Sequence, residues 1–159
     1  MSGTDLFNSA ENQTELTRRI DEYESGRSVC SEQDAKSEST SYRSWYEHAA
    51  RHLRGAKILM EHDGGNDLVA FHCQQAMEKQ LKGWLLKTTD ELEDGHSLVY
   101  LCRKAIQAGA PIGNRLRDCA YVNQFYIETR YPSDFYIPVS DKEALDCVEA
   151  AELLLKELQ

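Results

Sequence analysis

Four side chains able to hold an anion recur within one stretch of the chain, FHCQQAMEKQLKGWLL from Phe71 to Leu86: His72, Gln75, Lys79 and Lys82. On a helix turning about 100° per residue they fall within roughly 80° of one another. An imidazole, an amide and two ammonium groups on one face form a donor-rich ridge of the kind that grips a phosphate. No acid belongs to that ridge. Beside it, Ala70, Cys73, Met77, Leu81 and Trp84 keep the three-and-four spacing of an apolar stripe, which predicts a helix with one core-facing side. The plain alternative is a solvated polar face that is basic by composition. Glu78 and Lys82 stand four apart, so part of the ridge also reads as an ordinary intrahelical ion pair.

Other groupings carry less chemistry. His48 and His52 share a helix face at the spacing of two zinc ligands, but no third ligand accompanies them, and they read as surface or dimer-contact histidines. The five cysteines, Cys30, Cys73, Cys102, Cys119 and Cys147, are odd in number, scattered and without a CxxC pair. Four lie inside apolar helical patterns, where a free thiol acts as a small core residue. The pattern is that of a reduced, cytoplasmic protein rather than a disulfide framework or metal site. Asp63-Gly64-Gly65-Asn66 is a turn and not a phosphate loop, because no strand precedes it. The sequence implies no metal and no cofactor.

These residues must be positioned by a chain of 159 residues with 18 basic and 27 acidic side chains, a formal charge of −9. That length suits one domain. The acidic balance argues against an avid nonspecific binder of duplex nucleic acid, which carries a basic footprint. It leaves room for a local basic patch that takes one nucleotide or a short single strand. No apolar run is long enough to span a bilayer, and the first residues lack the basic start and apolar core of a secretory signal.

Residues 1–41 contain nine acids and four bases, with serine and threonine abundant and apolar residues sparse. Such a segment cannot offset its ordering entropy, so a mostly disordered acidic arm is expected there, with one transient helix over Thr14 to Glu24. Residues 42–159 read as an all-α antiparallel bundle of five helices joined by mostly short links. The first runs from about Tyr42 to Glu61 and stops at two glycines, with Asn66 or Asp67 capping the second. The second reaches about Lys87. The third opens at His96-Ser97 and ends near Ala108. The fourth begins near Gly113 and stops at Tyr131-Pro132. A capping box at Ser140-Asp141-Lys142-Glu143 starts the last.

Three motifs in this order carry a family resemblance: the run Gln74-Gln75-Ala76-x-Glu78-Lys79-x-x-Lys82, the His96-x-Leu98 opening the third helix, and Arg130-Tyr131-Pro132 ending the fourth. Over residues 42 to 158 the chain resembles the HEPN domain, a helical module named for nucleotide binding. The resemblance implies a bundle that forms homodimers and is often paired with a minimal nucleotidyltransferase, as in toxin–antitoxin systems. Many relatives are metal-independent RNA endonucleases that use an arginine and a histidine four to six residues apart. Arginine would stabilise phosphate charge while histidine moves protons near neutral pH. Here the positions that should hold histidine after Arg130 hold Phe135, Tyr136 and Ile137. The one literal match to the spacing is Arg43 and His48, at the start of the first helix rather than late in the bundle.

A binding role uses the same residues more readily. Arg130 offers a planar fork to phosphate, and Lys79 and Lys82 offer point charges. Tyr126 and Tyr131 can stack on a base, Gln75 can donate, and His96 stands at a helix start where amides favour an anion. Structural roles compete: Arg130 could pair with Glu78 or cap its own helix, and His96 could serve as a cap. The sequence thus favours a noncatalytic module binding a nucleotide, a nucleic-acid phosphate or a nucleotidyltransferase partner. An RNA endonuclease and a purely structural interaction bundle are the two alternatives. The rings of Trp45, Tyr46, Tyr126, Phe135 and Tyr136 exceed what one small bundle edge hides, which points to a homodimer.

Overall fold

Two units divide the chain, Met1–Glu38 and Ser39–Gln159. The structure, a computed structural model, describes Thr14, Thr17, Arg18 and residues 41–128 and 138–159. In the first unit the three described residues are helical and exposed. The expectation of a disordered arm otherwise falls on residues outside the described set.

The second unit is a helical bundle. Its elements are α1 (Tyr42–Glu61), α2 (Asn66–Thr89), α3 (Leu98–Gln107), a 3₁₀ turn (Gly113–Arg115), α4 (Leu116–Asn123), α5 (Phe125–Glu128) and α6 (Asp141–Glu157). α2 is the axis of this unit and touches every other α-helix in it. That position explains its composition. Ala70, Cys73, Met77 and Leu81 are fully buried, as the apolar stripe predicts, and its last member, Trp84, is half-buried, yet Gln74, Glu78, Gln80 and Lys82 are buried as well. A helix enclosed on several sides has no broad solvated face on which to leave its polar residues.

The helix ends follow local chemistry. α1 stops where Asp63 and Gly65 take positive φ of 56° and 99°, and the Gly64 amide donates to the Leu59 carbonyl. α3 starts at Ser97, whose hydroxyl accepts from the Tyr100 amide, while Asn123 of α4 accepts from the Leu98 amide at 2.8 Å. The capping box at Ser140 and Glu143 forms as its spelling predicts. Two expectations are corrected. Neither Asn66 nor Asp67 caps α2; the cap position is Gly65, and Asn66 instead donates to the Val139 carbonyl and the Asp141 carboxylate, fastening α2 to α6. The expected fourth helix is broken at Gln124 into α4 and α5, and its end at Tyr131-Pro132 lies outside the described residues.

Two features set how closely the helices approach. A Cβ at Gly83 would lie 2.8 Å from the Tyr46 ring and 2.9 Å from the Trp45 Cβ, so α1 and α2 touch where glycine alone fits. Less than one turn from Gly83, Gln80 donates to the Leu158 carbonyl at 2.9 Å, and Arg115 bridges Asp118 and Glu157. The four described cysteines are free and buried, as expected of core thiols. No described helix is long and apolar enough to cross a membrane.

Candidate functional site

Glu78 is the hub of the polar edge of α2. It is 3% exposed, and its carboxylate accepts from three donors: Lys82 Nζ at 3.1 Å, Gln74 Nε2 at 3.2 Å and His96 Nδ1 at 3.0 Å. Burial pushes its carboxyl pKa upward, but the bonds from His96, Lys82 and Gln74 outweigh that and hold it below the ordinary carboxylate range. Glu78 is therefore ionised at neutral pH, and Lys82 beside it is a buried, neutralised ammonium rather than an exposed point charge. The Trp45 ring covers Lys82, with Nζ 5.8 Å from the centroid.

The network extends both ways from this hub. Gln74 also donates to the His96 carbonyl at 3.2 Å, so one amide holds both ends of the contact between α2 and the residue before the α3 cap. Gln75 donates to Gln74 Oε1 at 2.7 Å, and Lys79 donates to Gln75 Oε1 at 2.8 Å. On the other side the His96 ring stacks on Tyr126 of α5, with centroids 5.6 Å apart and planes 18° apart. Gln75, Lys79, Lys82, His96 and Tyr126, the candidate ligand residues within the described set, are thus joined by one continuous chain of contacts. Its inner part is buried, while the His96 side chain is 58% exposed. Arg130 and Tyr131 lie outside the described residues.

His72, the remaining member of the sequence ridge, turns to α1. Its Nδ1 lies 2.9 Å from Nδ1 of His52, a distance that requires one ring to donate and the other to accept. Burial, then Lys79, then His72 and His48 push the His52 pKa down to about 4, with Glu78 opposing. Burial and Lys79 likewise lower that of His72. Arg43 and His48 are both exposed, and Arg43 Nε donates to the Tyr42 hydroxyl at 3.4 Å. Five residues apart on a helix, they stand about 140° apart around its axis and do not converge within one chain. Among the described residues no three or more His, Cys, Asp or Glu side chains are grouped to hold a metal ion.

The hub role of Glu78 is only partly visible in sequence. The four-residue spacing to Lys82 signals the ion pair; nothing local signals that Gln74 and His96 complete it.

A comparison with protein families matches residues 42–159 to the HEPN domain. The chain belongs to the HEPN domain family. Solved structures agree with the HEPN fold. TT1696 from Thermus thermophilus superposes with a TM-score of 0.64 at 24% identity, over 74% of this chain and 94% of that one. ST0689, an archaeal HEPN homologue, gives 0.58 at 24% identity, over 74% and 93%. At such identity the likeness concerns fold. No curated protein matches the sequence. Within the HEPN unit, the run from Gln74 to Lys82 forms the network around Glu78, and His96 supplies the imidazole that meets it.

Proposed function

We propose that this HEPN domain is a noncatalytic module that binds a phosphate-bearing nucleotide, or a short single strand, along the edge running from Lys79 through His96 to Tyr126. The observation that supports this reading is the continuous contact chain that fixes an exposed imidazole and its aromatic neighbour to a buried ion pair. A preorganised edge loses little side-chain freedom when a ligand arrives. Lys79 supplies positive charge, Tyr126 and His96 offer ring faces to a base, and Arg130 and Tyr131 belong to the same proposal from their place in the sequence. Lys82 acts in it by holding Glu78, not by reaching the ligand. The reading includes a homodimer and a minimal nucleotidyltransferase as protein partner; sedimentation giving only the 18.1 kDa monomer at tens of micromolar would remove the dimer.

Isothermal titration against ATP, GTP, inorganic phosphate and a short single-stranded RNA tests the reading. Saturable binding is expected with at least one nucleotide or the RNA. Lys79→Glu should weaken it roughly tenfold or more, the loss of a charge-assisted contact. Binding unchanged by that reversal, or absent for every ligand, overturns the site.

A further inference from the structure

The geometry around Glu78 dictates more than the place of His96. An ionised carboxylate can only accept, so the 3.0 Å contact to His96 Nδ1 requires that nitrogen to carry the proton. The other ring nitrogen, Nε2, is then the atom left to gain or lose one. In the neutral ring Nε2 is an acceptor, and its lone pair opposes the oxygen of a phosphate. Only the imidazolium can donate to both anions at once, through Nδ1 to Glu78 and through Nε2 to phosphate.

Resting on the nucleotide-binding reading above, we propose that phosphate binding at this edge is coupled to proton uptake by His96 at Nε2, with Glu78 as the residue that positions the ring. No bond other than N–H is made. The proton comes from solvent, and the complex gains one positive charge. Among the described residues, the ring meets Glu78 of α2 and Tyr126 of α5, with Lys82 on the far side of the same carboxylate. Lys82 shares that carboxylate at 3.1 Å and opposes a second cation, so the negative charge that a phosphate adds is what favours the charged ring. The bound state then holds the proton more tightly than the free one. The His52–His72 pair differs: its contact is ring to ring, and burial and Lys79 disfavour a second proton on it more than Glu78 favours one.

The test is titration of the full chain with ATP at about pH 8, above the range in which imidazoles ordinarily titrate, in buffers of different ionisation enthalpy. The slope of the apparent enthalpy against the buffer enthalpy counts the protons taken up. Roughly half a proton to one proton per ATP is expected in the native protein. His96→Gln should bring the slope to near zero and weaken binding roughly tenfold or more. Because Glu78→Gln strands Lys82, its ring-positioning role is read in Glu78→Gln/Lys82→Met, folded by thermal unfolding, where uptake should fall by about half or more. Nitrogen-15 spectra of the free native protein should show the Nδ1–H tautomer of His96. A slope near zero in the native protein, a slope that persists in His96→Gln, or the opposite tautomer overturns the inference while leaving the nucleotide site standing. If neither ATP nor the short RNA binds at all, the functional reading falls and takes the inference with it.

Discussion

On one flank of α2, His72 meets His52 at 2.9 Å with Lys79 close enough to lower the proton affinity of both rings. On another, Glu78 meets His96 at 3.0 Å and is itself kept ionised by three donors. One side chain type sits in two opposite electrostatic settings within two turns of one helix. In the first, burial and a neighbouring cation make a second proton costly. In the second, a fixed carboxylate accepts from the ring's Nδ1. What surrounds each histidine here is decided by the element that packs against it, and not by a position in the polar ridge.

The comparison breaks most sharply if the carboxylate is removed. Glu78→Ala leaves Lys82 buried without its counterion, and such a loss costs about 3–5 kcal/mol. Denaturant unfolding should show it, and Glu78→Ala/Lys82→Met should recover most of the loss, because no charge is then stranded. Equal destabilisation in the double variant would show that packing, not charge, dominates at this point.

The histidine pair predicts an acid-sensitive contribution of smaller size. His52 titrates at about 4 in the fold against an ordinary 6.5, so between those values the unfolded chain binds more protons. The stabilisation is fully present above about pH 6.5 and is lost as pH falls through about 4. Discounted for the partial exposure of the ring, it amounts to about 1–2 kcal/mol. Thermal unfolding from pH 7 down to 4 should be steeper in the native protein than in His52→Gln; parallel profiles would contradict the assignment.

The smallest effect sharpens the same contrast. Lys79→Met removes a cation that lowers both His52 and His72. Proton NMR should show the pair titrating at higher pH; an unchanged titration would mean that Lys79 does not set the proton affinity of these rings.

What could be read from the sequence was local. The span Tyr42–Glu61, the capping box at Ser140 and the burial of Cys73, Cys102, Cys119 and Cys147 rest on spacing within a few turns, and the fold shows each. The polar pairs that join the helices, the one at the candidate site among them, are distant. His96 stands 18 residues from Glu78, His72 stands 20 from His52, and Gln80 stands 78 from the Leu158 carbonyl it binds. Such contacts exist only after helices pack, and propensity does not encode them. One signal was there for the burial of α2: Val69, Ala70 and Phe71, then Trp84, Leu85 and Leu86, place apolar residues on successive positions and so all round the axis. The ridge of His72, Gln75, Lys79 and Lys82 drew attention to one face when the helix had several.

The notch at Gly83 has an optical consequence. By letting α1 press against α2 it seats the Trp45 indole over the Lys82 ammonium, itself tied through Glu78 to His96. An indole is sensitive to charge at this range, and the chain has only one other, Trp84. In a Trp84→Phe background, emission from Trp45 should therefore report occupancy of the edge without any attached dye, and Gly83→Ala should silence that report by pushing Trp45 away from the Lys82 ammonium.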